Sequence, residues 1–491
     1  MEFNQQNIFL IFPEILLALF AMVMLIYGVF FEKIRPMISK LAIFLLLAIC
    51  TNIVINQNTG LAFGNSFIQD NLAIFAKVLI CVSLVFVIIL TENFQRNIRK
   101  IADFEYYILM LFSVIGMFFM VSANNILIAY LGIELQSLAL YVLAASDRKR
   151  LKPTEAGLKY FILGALASSL LLFGCSYIYG MTGSLQFDGI ANSLGDISQH
   201  GSVIPTALLL GLVLFLVGLF FKLSVAPFHM WSPDVYTGVP TPVTVFFATV
   251  PKVAAIVLLV RFLNQAFDSF VIQWQQIVYF VSIASMLVGA FGALRQKNIK
   301  RLLAYSGIGH VGFILIGVVV NSEQSLSALL NYLTIYIFMS ILVFSIVMVV
   351  CNRYIDRTDT VQELEDFTGL GKKHPLLAFG LSIGMLSMAG IPPLAGFFAK
   401  LYLFLAAVDE GYYILVVIGL LSSVVAAFYY IKVVKIIYFD EPKKDNVKRT
   451  QIIFGSTGKL VIVACIIFNV FYFMVPGFIN NITNNATLGL F

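Results

Sequence analysis

The sequence predicts an all-α, polytopic membrane protein of about fourteen transmembrane helices. Of its 491 residues 60% are hydrophobic and only 11% charged, and the mean hydropathy is +0.96. No soluble globular class combines these values. Apolar stretches also recur in runs of about 20 residues, the length a helix needs to cross a bilayer.

Such runs lie near 8–30, 37–55, 72–91, 104–121, 125–145, 158–180 and 203–231. A second set lies near 240–262, 274–294, 301–320, 327–350, 376–408, 412–438 and 458–479. The gap between the fourth and fifth spans is very short. An even number of crossings puts both termini on one side.

Charge placement supports that order independently, because short loops rich in Lys and Arg stay in the cytoplasm. Most of the 31 basic residues fall in alternate connections. They are Lys33, Arg35 and Lys40; Arg96, Arg99 and Lys100; Arg148, Lys149, Arg150 and Lys152; Arg295, Lys297, Lys300 and Arg301; Arg353, Arg357, Lys372 and Lys373; and Lys443, Lys444, Lys448, Arg449 and Lys459. The opposite connections, including a long loop expected at 181–202, and both tails carry none apart from Arg261 at a helix end, so both termini are expected on the outer side. The segment from Trp231 through Asp234 to Pro240 should be cytoplasmic yet has no basic residue, as a segment tucked into the bundle would.

A net charge of +6 spread over these loops describes topology and not nucleic-acid binding. Cys50, Cys81, Cys175, Cys351 and Cys465 stand singly in apolar spans, and His200, His229, His310 and His374 share no metal-ligand spacing. No metal site or nucleotide motif is expected. The N-terminal apolar run lacks a basic lead and is as long as a full span, so it is expected to stay as the first helix.

Two spans are interrupted. In VIPTALLLGLVLFLVGLFFKLSVAPFHMW, Pro227 cannot donate to the carbonyl of Leu223 and disfavours helix at Ala226. In LLAFGLSIGMLSMAGIPPLAGFFAKLYLFLAAV, Pro392 and Pro393 withdraw adjacent donors between Gly390 and Gly396. Freed carbonyls at membrane depth are tolerated only against protein or a water-filled cavity, so each break predicts a polar pocket. Lys222 stands beside the first break and Lys400 beside the second.

The broken helices are the seventh and twelfth, and their odd offset reverses direction through the membrane. That predicts two inverted five-helix repeats, 104–262 and 263–438, preceded by three helices in 1–103 and followed by a closing helix in 439–491. Inverted repeats with discontinuous helices meeting near the midplane are an architecture of ion-coupled transporters.

Four charges lie deep inside apolar spans: Glu134, Lys222, Lys252 and Lys400. Each costs about 2.5–3.5 kcal/mol on insertion scales, so a set of four marks a route for ions or protons. Burial disfavours a charged amine and a nearby carboxylate restores it, which makes the proton on the amine adjustable. A pair at 4 Å gains roughly 4 kcal/mol at an effective dielectric of about 20, so small motions load or unload such a site. Lys159, at the expected opening of the sixth helix, is placed to meet Glu134 from the cytoplasmic side. His229 and His310 lie among helix-disrupting residues, and relay and packing both remain open for them. Glu14, Lys77, Lys432 and Lys435, near helix ends, are expected to snorkel.

The stretch FKLSVAPFHMWSPDVYTGVPTPVTVFFATVPKVAA at 221–255 closely resembles the signature of the antiporter-like membrane subunits of respiratory complex I. RLLAYSGIGHVGF at 301–313 and GIPPLAGFFAKLYLF at 390–404 extend the likeness. Within the family, the FKLS start, the PDVY turn and the single Lys252 resemble the N branch more than M or L.

The resemblance implies a proton-translocating subunit in a bacterial inner membrane, packed against other membrane subunits of the complex. Glu134 and Lys222 would form the input pair, Lys252 the central relay and Lys400 the outlet, with Lys159 at a further polar position of the axis. NAD, FMN, iron–sulfur clusters and quinone would all reside in partner subunits. Two other classes fit the residues less well: a subunit of a multi-subunit sodium–proton antiporter, and a non-transporting scaffold whose charges only pair for assembly. An enzyme acting on lipid or quinone stands third, because no acid, base or nucleophile marks a cleft.

Overall fold

A computed structural model describes residues 5–97, 104–147, 150–199, 205–351, 362–441 and 455–489. Several residues used above for orientation lie outside these ranges: Arg99, Lys100, Arg148, Lys149, Arg353, Arg357, Lys443, Lys444, Lys448 and Arg449. His200 and the side chains of Arg96 and Cys351 lie outside them as well.

The first half runs α1 (Gln5–Leu10), α2 (Phe12–Phe30), α3 (Ile38–Asn56), α4 (Asn71–Asn97), α5 (Glu105–Val121), α6 (Ile126–Ala144), α7 (Leu151–Thr182), α8 (Phe187–Gln199), α9 (Thr206–Leu223), α10 (Trp231–Gly238) and α11 (Thr241–Arg261). The second continues with α12 (Val271–Leu294), α13 (Ile299–Val320), α14 (Glu323–Cys351), α15 (Leu370–Lys373), α16 (Pro375–Ala389), α17 (Ala395–Asp409), α18 (Tyr413–Tyr438), α19 (Ser456–Phe471) and α20 (Pro476–Thr487). Twelve helices among the described residues are long and apolar enough to cross a membrane, and Glu105–Val121 and Pro375–Ala389 are shorter apolar helices.

Two elements depart from the expected loops. The stretch at 181–202 contains α8, whose Phe187, Ile190 and Leu194 are buried at helical spacing while the other face is polar. Half of that helix is hydrophilic, so a span-length hydropathy window averages it away. Between α3 and α4 the chain makes a hairpin, β1 (Gly60–Ala62) against β2 (Phe67–Gln69). Its strands of 3 residues are too short for an alternating pattern to register.

Helices α11, α13 and α14 are buried on nearly every face, whereas α2, α7, α18 and α19 keep broad apolar faces exposed, as lipid-facing helices do. Close approach is made possible where side chains vanish: a Cβ on Gly289 of α12 would lie 2.4 Å from the backbone nitrogen of Gly309 on α13. The helix that carries Lys252 is thus at the centre, and the one that carries His310 packs beside it.

Both interrupted spans break at the expected prolines. α9 ends at Leu223, Ser224 turns into the left-handed region with φ 59°, and the chain resumes as α10 beyond Pro227. α16 ends at Ala389, Gly390 takes φ 86°, and α17 starts after Pro392 and Pro393. The segment after Trp231 is tucked into the bundle, with Trp231, Pro233, Val235 and Tyr236 buried.

Candidate functional site: a line of buried amines

Lys222 sits in the last turn of α9, where the negative end of the half-helix favours a cation. Only 6% exposed, it donates to Ser137 Oγ at 2.6 Å and to Tyr141 Oη at 3.4 Å, both on α6. The carbonyls released by the first break are taken by protein donors: Trp231 Nε1 donates to Phe221 O at 2.9 Å, and Val225 N to Phe220 O at 3.1 Å.

Glu134 lies one turn before Ser137 on α6. It borders a cavity between α6 and α7 lined by Tyr130, Ser168, Ser169 and Ser176. Its Oε1 is buried with no hydrogen-bond partner. The expected direct meeting with Lys222 is therefore replaced by a hydroxyl, because the lysine leaves α9 one turn further along α6 than the carboxylate.

Lys252, on the central helix α11, is 2% exposed and donates to Tyr336 Oη at 3.0 Å. Tyr336 in turn donates to Ala248 O at 3.1 Å. Gly307 makes room for the ammonium, since a Cβ there would stand 3.0 Å from Nζ.

The Tyr336 ring lies 5.4 Å from the His310 ring. His310 is bonded at both nitrogens, to Tyr332 Oη at 2.7 Å and to Tyr430 Oη at 3.1 Å, and Tyr430 is bonded to Ser306 at 2.5 Å. Hydrogen bonds at both ring nitrogens tie His310 to Tyr332 and Tyr430, an arrangement that a relay and a hydrogen-bonded packing residue share. A small cavity of about 10 Å³ joins His310, Tyr430 and Lys400, on the order of one water. Lys400 donates to Ala389 O, a carbonyl freed by the second break, at 2.9 Å, and to Ser423 Oγ at 2.9 Å. Lysine and broken helix thus meet directly at this end, as the sequence predicted.

Lys159 does not reach Glu134. α7 starts earlier than expected, at Leu151, so Lys159 lies inside it and pairs with Glu155 at 2.8 Å and Asp234 at 3.6 Å. Asp234 also meets Arg301 at 3.3 Å. These groups line a cavity of about 310 Å³ at the end of the bundle that carries the basic loops. His229 is half-buried beside Tyr305, ring centroids 6.5 Å apart, and its Nδ1 has no partner.

The snorkelling expected for Glu14 and Lys77 is overturned. Lys77 is fully buried and lies 2.5 Å from Glu14 Oε1, because helices on both sides cover the helix ends that length alone would leave in water. Lys435 does reach outward and lies 3.5 Å from Asp440. Sequence reasoning missed the hydroxyls Ser137, Tyr141, Tyr336, Tyr332, Tyr430 and Ser423. Only Ser137 and Tyr141 carried a signal, their spacing from Glu134 on one helix face.

Together the fold and this line of groups define a class: polytopic membrane bundles that hold ionisable side chains in a buried interior, linked by hydroxyls. Residues 123–426 match the family described as NADH:quinone oxidoreductase/Mrp antiporter, TM, and the chain belongs to that family. It is 44% identical over 468 residues to the NADH-quinone oxidoreductase subunit N of Rhodospirillum rubrum, covering 94% of this chain and 93% of that one. It is 45% identical over 470 residues to the subunit N of Parvibaculum lavamentivorans, covering 94% of each. Among solved structures it resembles a chain of respiratory complex I from Thermus thermophilus with bound aureothin, at 30% identity and TM-score 0.79, covering 96% of this chain and 98% of that one. A chain of the Mrp complex from a Dietzia species shares the fold, at 21% identity and TM-score 0.84, covering 99% and 98%.

Proposed function

We propose that the chain moves protons across a bacterial inner membrane as the N-type antiporter-like subunit of NADH:quinone oxidoreductase, the assembly that its relatives' names specify. The observation that carries the proposal is the line of buried amines, Lys222, Lys252 and Lys400, bridged by hydroxyls and by His310. Each amine has a neutral oxygen acceptor at hydrogen-bond distance, so it keeps a partner whether or not it holds an extra proton.

A proton enters by the cavity at Glu134 or by the basin at Asp234 and Lys159, settles on Lys222, and shifts the balance at Lys252 by repulsion. Tyr336, His310 and Tyr430 then pass it towards Lys400, the outlet. The groups titrate as a set, because each one's occupancy depends on its neighbour's charge. The two breaks support inverted repeats over 104–262 and 263–438, since each presents the carbonyl end of a half-helix to a lysine. Basic loops at one end of the bundle support termini on the outer side. NAD, FMN, iron–sulfur clusters and quinone belong to partner subunits, whose redox energy reaches this chain through conformational and electrostatic coupling.

Proton pumping and NADH oxidation in the assembled complex test the proposal with Lys222→Met and Lys400→Met. The expected result is an intact complex that pumps poorly. Normal pumping in both variants removes the mechanism, and a loss that tracks missing assembly favours the scaffold.

A further inference from the structure

At the end of the bundle away from the basic loops lies a second set of buried charges that takes no part in the path above. Glu14 on α2 and Lys77 on α4 are 1% and 0% exposed. Lys77 Nζ lies 2.5 Å from Glu14 Oε1 and 2.5 Å from Gln69 Oε1, and faces the rings of Phe67 at 5.0 Å and Phe118 at 5.6 Å. Next to Gln69, Asp70 pairs through both oxygens with the buried Arg261, at 2.7 and 2.8 Å, and its own side chain is 28% exposed.

The carboxylate of Glu14 is unusual for a structural ion pair. Among the described residues its side-chain partner is Lys77 alone, with Oε1 2.5 Å from the ammonium, and Oε2 is buried without a side-chain donor. Buried carboxylates that only hold a fold together gather several donors, and a buried pair without them holds helices no better than apolar residues would. Moving one proton from Nζ to Oε1 gives a carboxylic acid and a neutral amine and removes both buried charges. The amine still donates to Gln69, so nothing else must rearrange.

We infer that Glu14 and Lys77 form a proton-exchange site facing the side opposite the basic loops, an inference that rests on the proton-transport reading above. An arriving proton binds the neutral amine, and the pair then carries one net positive charge until the acid proton leaves for water at the partly exposed rim beside Asp70. The other ionisable groups around it are Asp70 and Arg261, with the thiols of Cys81 on α4 and Cys50 on α3. Helix α5 packs against both α2 and α11 and carries Ser113, whose hydroxyl is buried without a partner, and Ser122, also without one, directly follows its last residue.

The test is NADH-driven proton movement by the complete complex in membrane vesicles, expressed as protons moved per NADH for the complex actually assembled. Glu14→Gln, which cannot take up a proton, should lower that ratio, and Glu14→Asp should keep more of it than Glu14→Gln. An unchanged ratio in Glu14→Gln overturns the site. If Glu14→Gln fails to assemble, the double variant Glu14→Gln with Lys77→Met, which leaves no unpaired charge, is scored by the same ratio. A normal ratio there, or absence of the double variant too, makes the pair structural and ends the inference. Lys222→Met serves as reference: if it pumps poorly while Glu14→Gln pumps normally, only this site falls, whereas normal pumping by Lys222→Met removes the underlying path.

Discussion

The ammonium of Lys222 rests on the hydroxyl of Ser137, 2.6 Å away, one helical turn beyond Glu134. Ser137 commits its own proton to Ile133 O at 2.5 Å, so its lone pair faces the lysine. A neutral oxygen therefore holds the amine within reach of the carboxylate's field without fusing the two into a fixed ion pair.

Ser137→Ala removes that acceptor and leaves Lys222 with Tyr141 Oη alone, at 3.4 Å. An orphaned buried donor costs about 1–3 kcal/mol, and the cost falls on the charged form most heavily. The expected outcome is an assembled complex with slowed pumping, recovered in Ser137→Thr, which restores a hydroxyl. Pumping at the unaltered rate in Ser137→Ala would mean that the contact has no part in transport.

Gly307 sets the position of Lys252. An added Cβ would stand 3.0 Å from its Nζ and 3.3 Å from Tyr336 Oη, so Gly307→Ala pushes apart the donor and acceptor of the central bond. Overpacking of a full core costs about 1–3 kcal/mol, and here the strain falls on the relay itself. Pumping per NADH should drop. Gly180→Ala in α7, where a Cβ meets nothing within 4 Å, should change nothing measurable in the same assay. Equal behaviour of the two variants would sink the assignment of Gly307.

The spans, the two breaks and the deep charges were legible because each leaves a local mark: a run of apolar residues, a proline, a lone lysine. The helix at 187–199 is marked only by Phe187, Ile190 and Leu194 at helical spacing, because its polar half cancels its apolar half in any span-length average. Glu14 and Lys77 were misread for a related reason. Distance from a helix end says where a side chain could reach water, but whether β2 and α5 cover that end depends on contacts far apart in the chain. Tyr336 and Tyr430 were invisible likewise, because a hydroxyl takes its role from which helix faces it and nothing in its own segment records that.

Asp70 supplies the acid-sensitive part of the fold. It accepts from Ala73 N at 2.8 Å at the start of α4 and holds Arg261 through both oxygens. Burial alone would raise its pKa, but the Arg261 charge, its hydrogen bonds and the amide of Ala73 outweigh that and hold the carboxyl below its ordinary value of 3.8. A carboxyl depressed in the folded state adds stability that is complete above the ordinary value and is lost as pH falls through the folded one. Asp70→Asn keeps an acceptor for the helix start but leaves the fully buried Arg261 without a counter-charge, which costs about 3–5 kcal/mol. The variant should therefore melt at lower temperature at neutral pH, and its deficit should shrink as the unaltered protein also loses the pair below pH 3.8. Thermal melting of the purified complex in detergent across that range checks both statements, and a deficit that stays constant with pH would show that the Asp70 charge is not what holds Arg261.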